Sequence, residues 1–189
     1  MVPAPVRLML VDDHEMVIEG LKAMLTTFAD RVEVVGQAVG AERALRVVDD
    51  VDPDIVLCDV RMQGASGLDL CAELRGRDPG RKVVMLSVYD DEQYLFQALR
   101  VGASGYLLKS IGSDDLVRQL ELVHRGETAI DPGMAARAVD TAAAWPWAAH
   151  RDALDEVWPR ASEVRRRASP AATMPCMVWS ILSTKLLIQ

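Results

Sequence analysis

The stretch Asp54-Ile55-Val56-Leu57-Cys58-Asp59 is a short apolar run that begins and ends at a carboxylate. A run of this length is typical of a β-strand, and the absence of polar alternation predicts burial on both faces of a sheet. Strands of this kind occur mainly in parallel sheets that helices cover. We therefore expect this stretch to be an interior strand of an α/β protein.

Similar apolar runs alternate with segments of helical period on both sides of this stretch. Leu21, Met24 and Leu25, for example, are spaced like one face of a helix. Five strands alternating with five helices predict an α/β fold with a doubly wound parallel sheet, covered by helices on both sides. The expected strands lie at 7–11, 32–35, 54–58, 82–86 and 105–108, and the expected helices at 16–25, 41–48, 68–74, 92–101 and 113–123.

Polar residues follow four of the predicted strands at their carboxyl ends. They are Asp12 and Asp13, Asp59, Ser87 and Lys109. Functional groups of open parallel sheets lie beyond these strand ends, so the five side chains are expected to converge on one site. A single acidic residue at such a position is more often a solvated helix cap, but five together favour a functional site.

The chemistry of this cluster indicates a cation. Three carboxylates at close range repel one another, and a hard divalent ion such as Mg²⁺ prefers oxygen ligands. Asp12-Asp13-His14 stands where a dinucleotide-binding fold would have a glycine-rich loop, which argues against a Rossmann dehydrogenase. His14 is expected to be a helix-start residue rather than a ligand, and Cys58 a buried small apolar residue.

Residues 6–126 resemble the receiver domain of bacterial two-component response regulators, and most closely its NarL/LuxR branch. This resemblance implies a flavodoxin-like receiver fold with strand order 2-1-3-4-5 and a role in transcription regulation. It rests on four segments, each at a predicted strand end: Leu10-Val11-Asp12-Asp13-His14, Val56-Leu57-Cys58-Asp59-Val60-Arg61-Met62, Val84-Met85-Leu86-Ser87 and Gly102-Ala103-Ser104-Gly105-Tyr106-Leu107-Leu108-Lys109.

The resemblance implies that Asp59 is the phosphoacceptor for a phosphoryl group carried by a histidine of a sensor kinase. Asp12 and Asp13 would hold Mg²⁺ together with Asp59 and the backbone carbonyl of Arg61. Such a protein is a phosphorylated switch and not an enzyme with an external substrate. An Mg²⁺-dependent phosphatase with Asp59 as nucleophile is a weaker alternative, because such enzymes need an aspartate two residues later, where Arg61 stands.

The resemblance also implies how phosphorylation changes the conformation. Lys109 would pair with a phosphoryl oxygen, and Ser87 would donate its hydroxyl to another. Tyr106 would then turn into the space that Ser87 vacates, although a plain core role for Tyr106 is the competing interpretation. Homodimerisation on phosphorylation is a further implication of the family.

Three residues depart from the family pattern. Arg61 and Tyr89 are bulky at the positions two residues after the acceptor and the hydroxyl, which predicts slower spontaneous hydrolysis of the acyl phosphate. Gln63 stands where the family commonly has proline, which predicts a looser loop before Gly67.

Charge and composition divide the 189 residues into unequal parts. Residues 1–144 carry 15 Lys and Arg against 24 Asp and Glu, and residues 145–189 carry 6 against 4 and all four tryptophans. We therefore expect a receiver domain at 6–126, a linker at 127–144 and an atypical, irregular tail at 145–189. The family's helix-turn-helix motifs are not recognisable in this tail, so a truncated or frame-shifted output region is one interpretation. DNA binding through the tail, with its run Arg165-Arg166-Arg167, is the alternative.

Composition also predicts the cellular compartment. The three cysteines lack metal-ligand spacing, and the N-terminus leads directly into the first strand without room for a signal peptide. Apolar stretches stay well below the roughly 20 residues that a membrane span needs. We expect a cytoplasmic protein without a membrane partner.

Overall fold

Strands and helices alternate along residues 4–135, the part of the chain that this computed structural model describes. The strands are β1 (Val6–Asp12), β2 (Val32–Val39), β3 (Ile55–Asp59), β4 (Lys82–Ser87), β5 (Gly105–Leu108) and β6 (Ala129–Ile130). The helices are α1 (Glu15–Leu25), α2 (Ala41–Val51), α3 (Gly67–Arg77), α4 (Glu92–Arg100) and α5 (Ser113–His124), and a 3₁₀ turn at Thr26–Phe28 follows α1.

All strand pairs are parallel, and the order in the sheet is β2-β1-β3-β4-β5-β6. The α/β class and the order of the first five strands are confirmed. The predicted number of strands is wrong, because β6 adds a sixth strand at the β5 edge. A two-residue strand is too short to show a period in the sequence, and its position depends on pairing with β5.

The apolar run Ile55-Val56-Leu57-Cys58 lies in β3, and every residue of this strand is buried. In β1 all residues except Arg7 are buried. Helices cover both faces of the sheet: α1 contacts α5, while α3 contacts both α2 and α4. This two-sided cover explains why the interior strands carry apolar side chains at successive positions.

Side-chain caps fix the starts of the helices that follow β3 and β4. Ser66 Oγ accepts a hydrogen bond from the Asp69 amide, and the Asp69 carboxylate accepts one from the Ser66 amide. The hydrogen bonds that this carboxylate accepts from the Ser66 hydroxyl and the Ser66 amide hold the pKa of Asp69 below its ordinary value. Asp91 accepts a bond from the Gln93 amide at the start of α4. The caps set where the loops after β3 and β4 end, and these loops border the candidate site.

The compact unit that contains the sheet ends at Asp131, so a receiver boundary at residue 126 leaves β6 out. The predicted tail at 145–189 and the second half of the predicted linker, residues 136–144, lie outside the described residues. Within residues 4–135, no helix has both the length and the apolar character that crossing a bilayer requires.

Candidate functional site

The strand ends place the predicted polar residues at one edge of the sheet. Asp12 ends β1, Asp59 ends β3 and Ser87 ends β4, while Lys109 directly follows β5. Among the residues that the structure describes, the buried polar side chains are Asp12, Asp59 and Ser87. Burial of polar groups costs free energy unless they are paired, so their concentration here indicates a functional site.

Lys109 binds two of the carboxylates. Its Nζ lies 2.6 Å from Asp12 Oδ2 and 2.9 Å from Asp59 Oδ1. Burial lowers the pKa of the Lys109 ammonium, but its hydrogen bonds to Asp12 and Asp59 outweigh this effect, and the net pKa is raised. For Asp59, burial raises the pKa, and the opposing bond from Lys109 does not fully compensate. Asp59 is therefore a poorly solvated carboxylate whose charge depends on Lys109.

Asp13 presents a carboxylate oxygen that lacks a protein donor. Its Oδ2 accepts a hydrogen bond of 3.1 Å from the Gln63 amide, whereas its Oδ1 is buried and accepts none. His14 Nδ1 lies 2.6 Å from this Oδ1, which is the distance of an ion pair when the imidazole is protonated. The Gln63 bond anchors the loop before Gly67, at the residue where the sequence predicts a looser loop.

The acidic cluster fits a divalent cation. Asp12, Asp13 and His14 each offer a ligand atom, and these atoms lie within 4.8 Å of one another. A buried carboxylate oxygen without a hydrogen bond is the kind of ligand that a hard cation prefers. Asp59 lies outside this group of three, and His14 is the N-cap residue of α1, in line with its predicted helix-start role.

The predicted switch residues meet on the loop that follows β4. The Tyr106 ring is fully buried, and its hydroxyl donates a hydrogen bond of 2.9 Å to the backbone carbonyl of Tyr89. The Tyr89 amide in turn donates to Ser87 Oγ over 3.0 Å. Burial raises the pKa of the Tyr106 hydroxyl. The ring already points inward in this structure. The two hydrogen bonds link Ser87 and Tyr106 through the backbone of Tyr89.

A contact between Arg61 and Tyr89 is the feature that sequence reasoning missed. The Arg61 guanidinium donates a bond of 3.2 Å to the Tyr89 hydroxyl, and its Cζ lies 5.2 Å from the ring centroid. The two residues come from different loops, each two positions beyond a strand end. The equal offset of the two residues from their strand ends, together with the parallel pairing of β3 and β4, could have predicted this contact from the sequence.

Cys58 and Gly67 fix the backbone of Asp59. The buried Cys58 thiol donates to the Asp59 carbonyl oxygen over 3.2 Å, and burial raises its pKa well above the usual range. This confirms a buried thiol rather than a nucleophile. A Cβ built on Gly67 would overlap the same carbonyl oxygen, so α3 begins in close contact with the acceptor residue.

Residues 8–121 match the profile of a protein family described as the response regulator receiver domain. This match covers more than half of the chain. The chain belongs to the response regulator receiver family. Its homologues are response regulators of the NarL/LuxR type, which confirms the resemblance seen in the sequence.

Two curated relatives and one solved structure illustrate the likeness. The transcriptional regulatory protein MctR of Rhizobium johnstonii is 38% identical over 129 residues, covering 68% of this chain and 60% of the relative. The oxygen regulatory protein NreC of Staphylococcus carnosus is also 38% identical over 129 residues, covering 68% and 59%. A LuxR-family two-component response regulator from Aurantimonas is 29% identical with a TM-score of 0.68, and the match covers 72% of this chain and 97% of that one.

The chain aligns with about 60% of the length of these curated relatives. The alignments cover the receiver fold and therefore bear on the residues around Asp59.

Proposed function

We propose that this protein is the phosphorylated component of a two-component phosphorelay and that it acts in transcription regulation. The observation that carries the proposal is that the buried Asp59 carboxylate lies 2.9 Å from Lys109 Nζ, which also lies 2.6 Å from Asp12 Oδ2. The family membership supports the same function. The partner proposed for Asp59 is a phosphohistidine of a sensor histidine kinase, and the location proposed for this protein is the cytoplasm.

The proposed step is a phosphoryl transfer to Asp59. A carboxylate oxygen of Asp59 attacks phosphorus, and the phosphorus–nitrogen bond of the phosphohistidine breaks. The electron pair of that bond remains on the imidazole nitrogen, and an acyl phosphate forms on Asp59. Lys109 is positioned to pair with a phosphoryl oxygen. Ser87 would donate its hydroxyl proton to another, because Ser87 Oγ only accepts the bond from the Tyr89 amide.

The acidic residues suit Mg²⁺ as the metal of this site. Asp12 and Asp13 would hold the ion together with Asp59 and the backbone carbonyl of Arg61. When bound, Mg²⁺ offsets negative charge on the phosphoryl oxygens. The orphaned Oδ1 of Asp13 is the observation in this chain that supports the assignment.

Mass spectrometry of the intact protein tests the proposal. The chain is incubated with acetyl phosphate and Mg²⁺ as wild type, as Asp59→Asn and as Asp50→Asn, a control that changes an exposed carboxylate on α2. We expect one phosphoryl group on the wild type and on Asp50→Asn, none on Asp59→Asn, and loss of the adduct when Mg²⁺ is chelated. An equal adduct on Asp59→Asn, or none on the wild type, would contradict the proposal.

The two alternatives from the sequence receive less support. A phosphatase would need a carboxylate at position 61, where the arginine instead packs on Tyr89. DNA binding through residues 145–189 concerns a segment outside the described residues. Homodimerisation on phosphorylation is part of the proposal and is measured by light scattering of the phosphorylated chain.

A further inference from the structure

Strand β6 is hydrogen-bonded to the backbone of Tyr106, the residue whose aromatic ring points inward. Ala129 pairs with Gly105, and Ile130 pairs with Tyr106. The Ala129 amide donates to the Ser104 carbonyl over 3.2 Å, and the Asp131 amide donates to the Tyr106 carbonyl over 3.0 Å. The segment that leaves the sheet is thus bonded to Tyr106 directly.

The fit between β5 and β6 is close. A Cβ on Gly105 would lie 2.7 Å from the Ala129 carbonyl oxygen and 3.1 Å from the Ala129 Cβ. Ala129 itself is fully buried. Glycine at position 105 therefore allows β6 to approach β5 closely. Because the two strands are in contact, a shift of the β5 backbone also displaces β6.

The side chain of Tyr106 is connected by hydrogen bonds to Ser87, the other predicted switch residue. Its hydroxyl donates to the Tyr89 carbonyl, and the Tyr89 amide donates to Ser87 Oγ. A continuous series of hydrogen bonds therefore leads from Ser87 through Tyr89 and Tyr106 to Asp131. Ser87 lies at the phosphoryl-acceptor end of this series, and Asp131 lies where the chain continues toward residues 132–189.

We propose that β6 carries the state of the phosphorylation site to the segment that follows Asp131. This inference rests on the proposed function, because it assumes that Asp59 is phosphorylated. A phosphoryl group that draws the Ser87 hydroxyl toward itself leaves more room for the inward Tyr106 ring. The inward ring and the paired β6 occur together in this structure, and we expect phosphorylation to stabilise the pairing of β6 with β5.

Thermodynamic linkage makes the coupling reciprocal. If the phosphoryl group stabilises β6, then weakening β6 lowers the fraction of phosphorylated chain at a fixed concentration of phosphodonor. Asp131→Pro is the direct variant, because proline lacks the amide that donates to Tyr106. Residue 131 already precedes Pro132, so its backbone is restricted to extended conformations that proline also accepts. Asp131→Ala is the matched control, since it removes the carboxylate and keeps the amide.

Amide hydrogen exchange on the full chain measures the coupling. Exchange at Ala129 and Asp131 is followed with and without acetyl phosphate and Mg²⁺, and the mass of each sample reports its phosphorylation. In the phosphorylated wild type we expect exchange to slow about fivefold, the factor that corresponds to one net hydrogen bond. Compared with Asp131→Ala, which lacks the same carboxylate but keeps the amide, we expect Asp131→Pro to exchange about fivefold faster at Ala129 and to accumulate less acyl phosphate.

The outcomes separate this inference from the function beneath it. A phosphorylated wild type whose exchange at residues 129 and 131 is unchanged overturns the coupling and leaves the phosphoacceptor role of Asp59 intact. Equal phosphorylation in the proline and alanine variants also overturns it. A wild type that gains no phosphoryl mass refutes the proposed function, and the inference with it.

Discussion

Lys109 Nζ lies between Asp12 and Asp59, 2.6 Å from an oxygen of one and 2.9 Å from an oxygen of the other. These carboxylates end different strands, and both are buried. One ammonium therefore compensates two charges that would otherwise repel each other in a poorly solvated site. The same group is in place to meet a phosphoryl oxygen on Asp59.

Removal of this ammonium is expected to destabilise the fold. Lys109→Met leaves two buried carboxylates without their cation, and we expect the free energy of unfolding to fall by about 3 kcal/mol. Asp59→Asn removes one of these charges, so the double variant should recover about 1–2 kcal/mol relative to additivity. Urea unfolding of the four proteins measures this coupling. Lys22→Met, whose ammonium pairs with the single exposed carboxylate of Glu19 on α1, is the control. Strictly additive effects at Lys109 and Asp59 would refute the shared role.

The Arg61–Tyr89 contact is expected to prolong the acyl phosphate. The two residues stand two positions beyond Asp59 and Ser87, and a cation–π contact and a hydrogen bond join them to each other. Arg61→Ala or Tyr89→Ala should each shorten the lifetime of the acyl phosphate about fivefold, since such a contact is worth about 1 kcal/mol. Loss of phosphoryl mass after removal of the donor gives the lifetime, with Arg100→Ala as an exposed control. Unchanged lifetimes would reject a shielding role.

Gly67 is expected to be required by the acceptor strand. Gly67→Ala places a Cβ against the Asp59 carbonyl oxygen, and we expect a loss of about 1–3 kcal/mol in the free energy of unfolding. Gly76→Ala in the same helix meets open space and should stabilise by about 0.5–1 kcal/mol. Chemical unfolding of both variants checks the contrast. The interpretation fails if the two substitutions act in the same direction.

The ion pair between Arg31 and Glu121 predicts a pH dependence of stability. Two hydrogen bonds, of 2.8 and 2.7 Å, join the guanidinium to the carboxylate, and these bonds lower the pKa of Glu121. A lowered carboxyl pKa stabilises the fold fully above the pKa of the unfolded chain, and the contribution disappears as pH falls through the lowered value. Glu121→Gln should therefore destabilise at neutral pH, and the difference from the wild type should shrink below about pH 4. Thermal unfolding from pH 3 to pH 7 measures this, and Glu42→Gln, which is exposed on α2, should show no such trend.

Sequence reasoning was sufficient for the framework of the fold. Apolar runs such as Ile55–Asp59 predict interior strands because burial on both faces leaves no place for alternating polar residues. Apolar residues at intervals of three and four predict the covering helices, because each of these helices buries one face against the sheet. Since parallel strands end at one edge, the convergence of Asp12, Asp59, Ser87 and Lys109 also followed from their positions in the sequence.

Other features depended on pairing between distant segments. β6 has two residues, so its assignment rests on bonds to Ser104 and Tyr106 rather than on any local pattern. The stacking of Arg61 on Tyr89 depends on the directions of two loops, and the bond from the Gln63 amide to Asp13 depends on the approach of two others. Such contacts carry no period in the sequence.

The sequence by itself therefore determined the α/β class, the order of five strands, the family and the residues at the mouth of the sheet. Burial patterns and strand ends are local properties of the chain, and they predict the class and the site residues. The strand order and the family followed from the resemblance of four segments to receiver domains. The tertiary structure decided how these residues pair: which carboxylates share Lys109, which oxygen of Asp13 is left without a donor, and how Tyr106 is joined to both Ser87 and β6. Those relations require interatomic distances that are correct to a few tenths of an ångström, between segments that are far apart in the chain. Only packing sets distances with that precision.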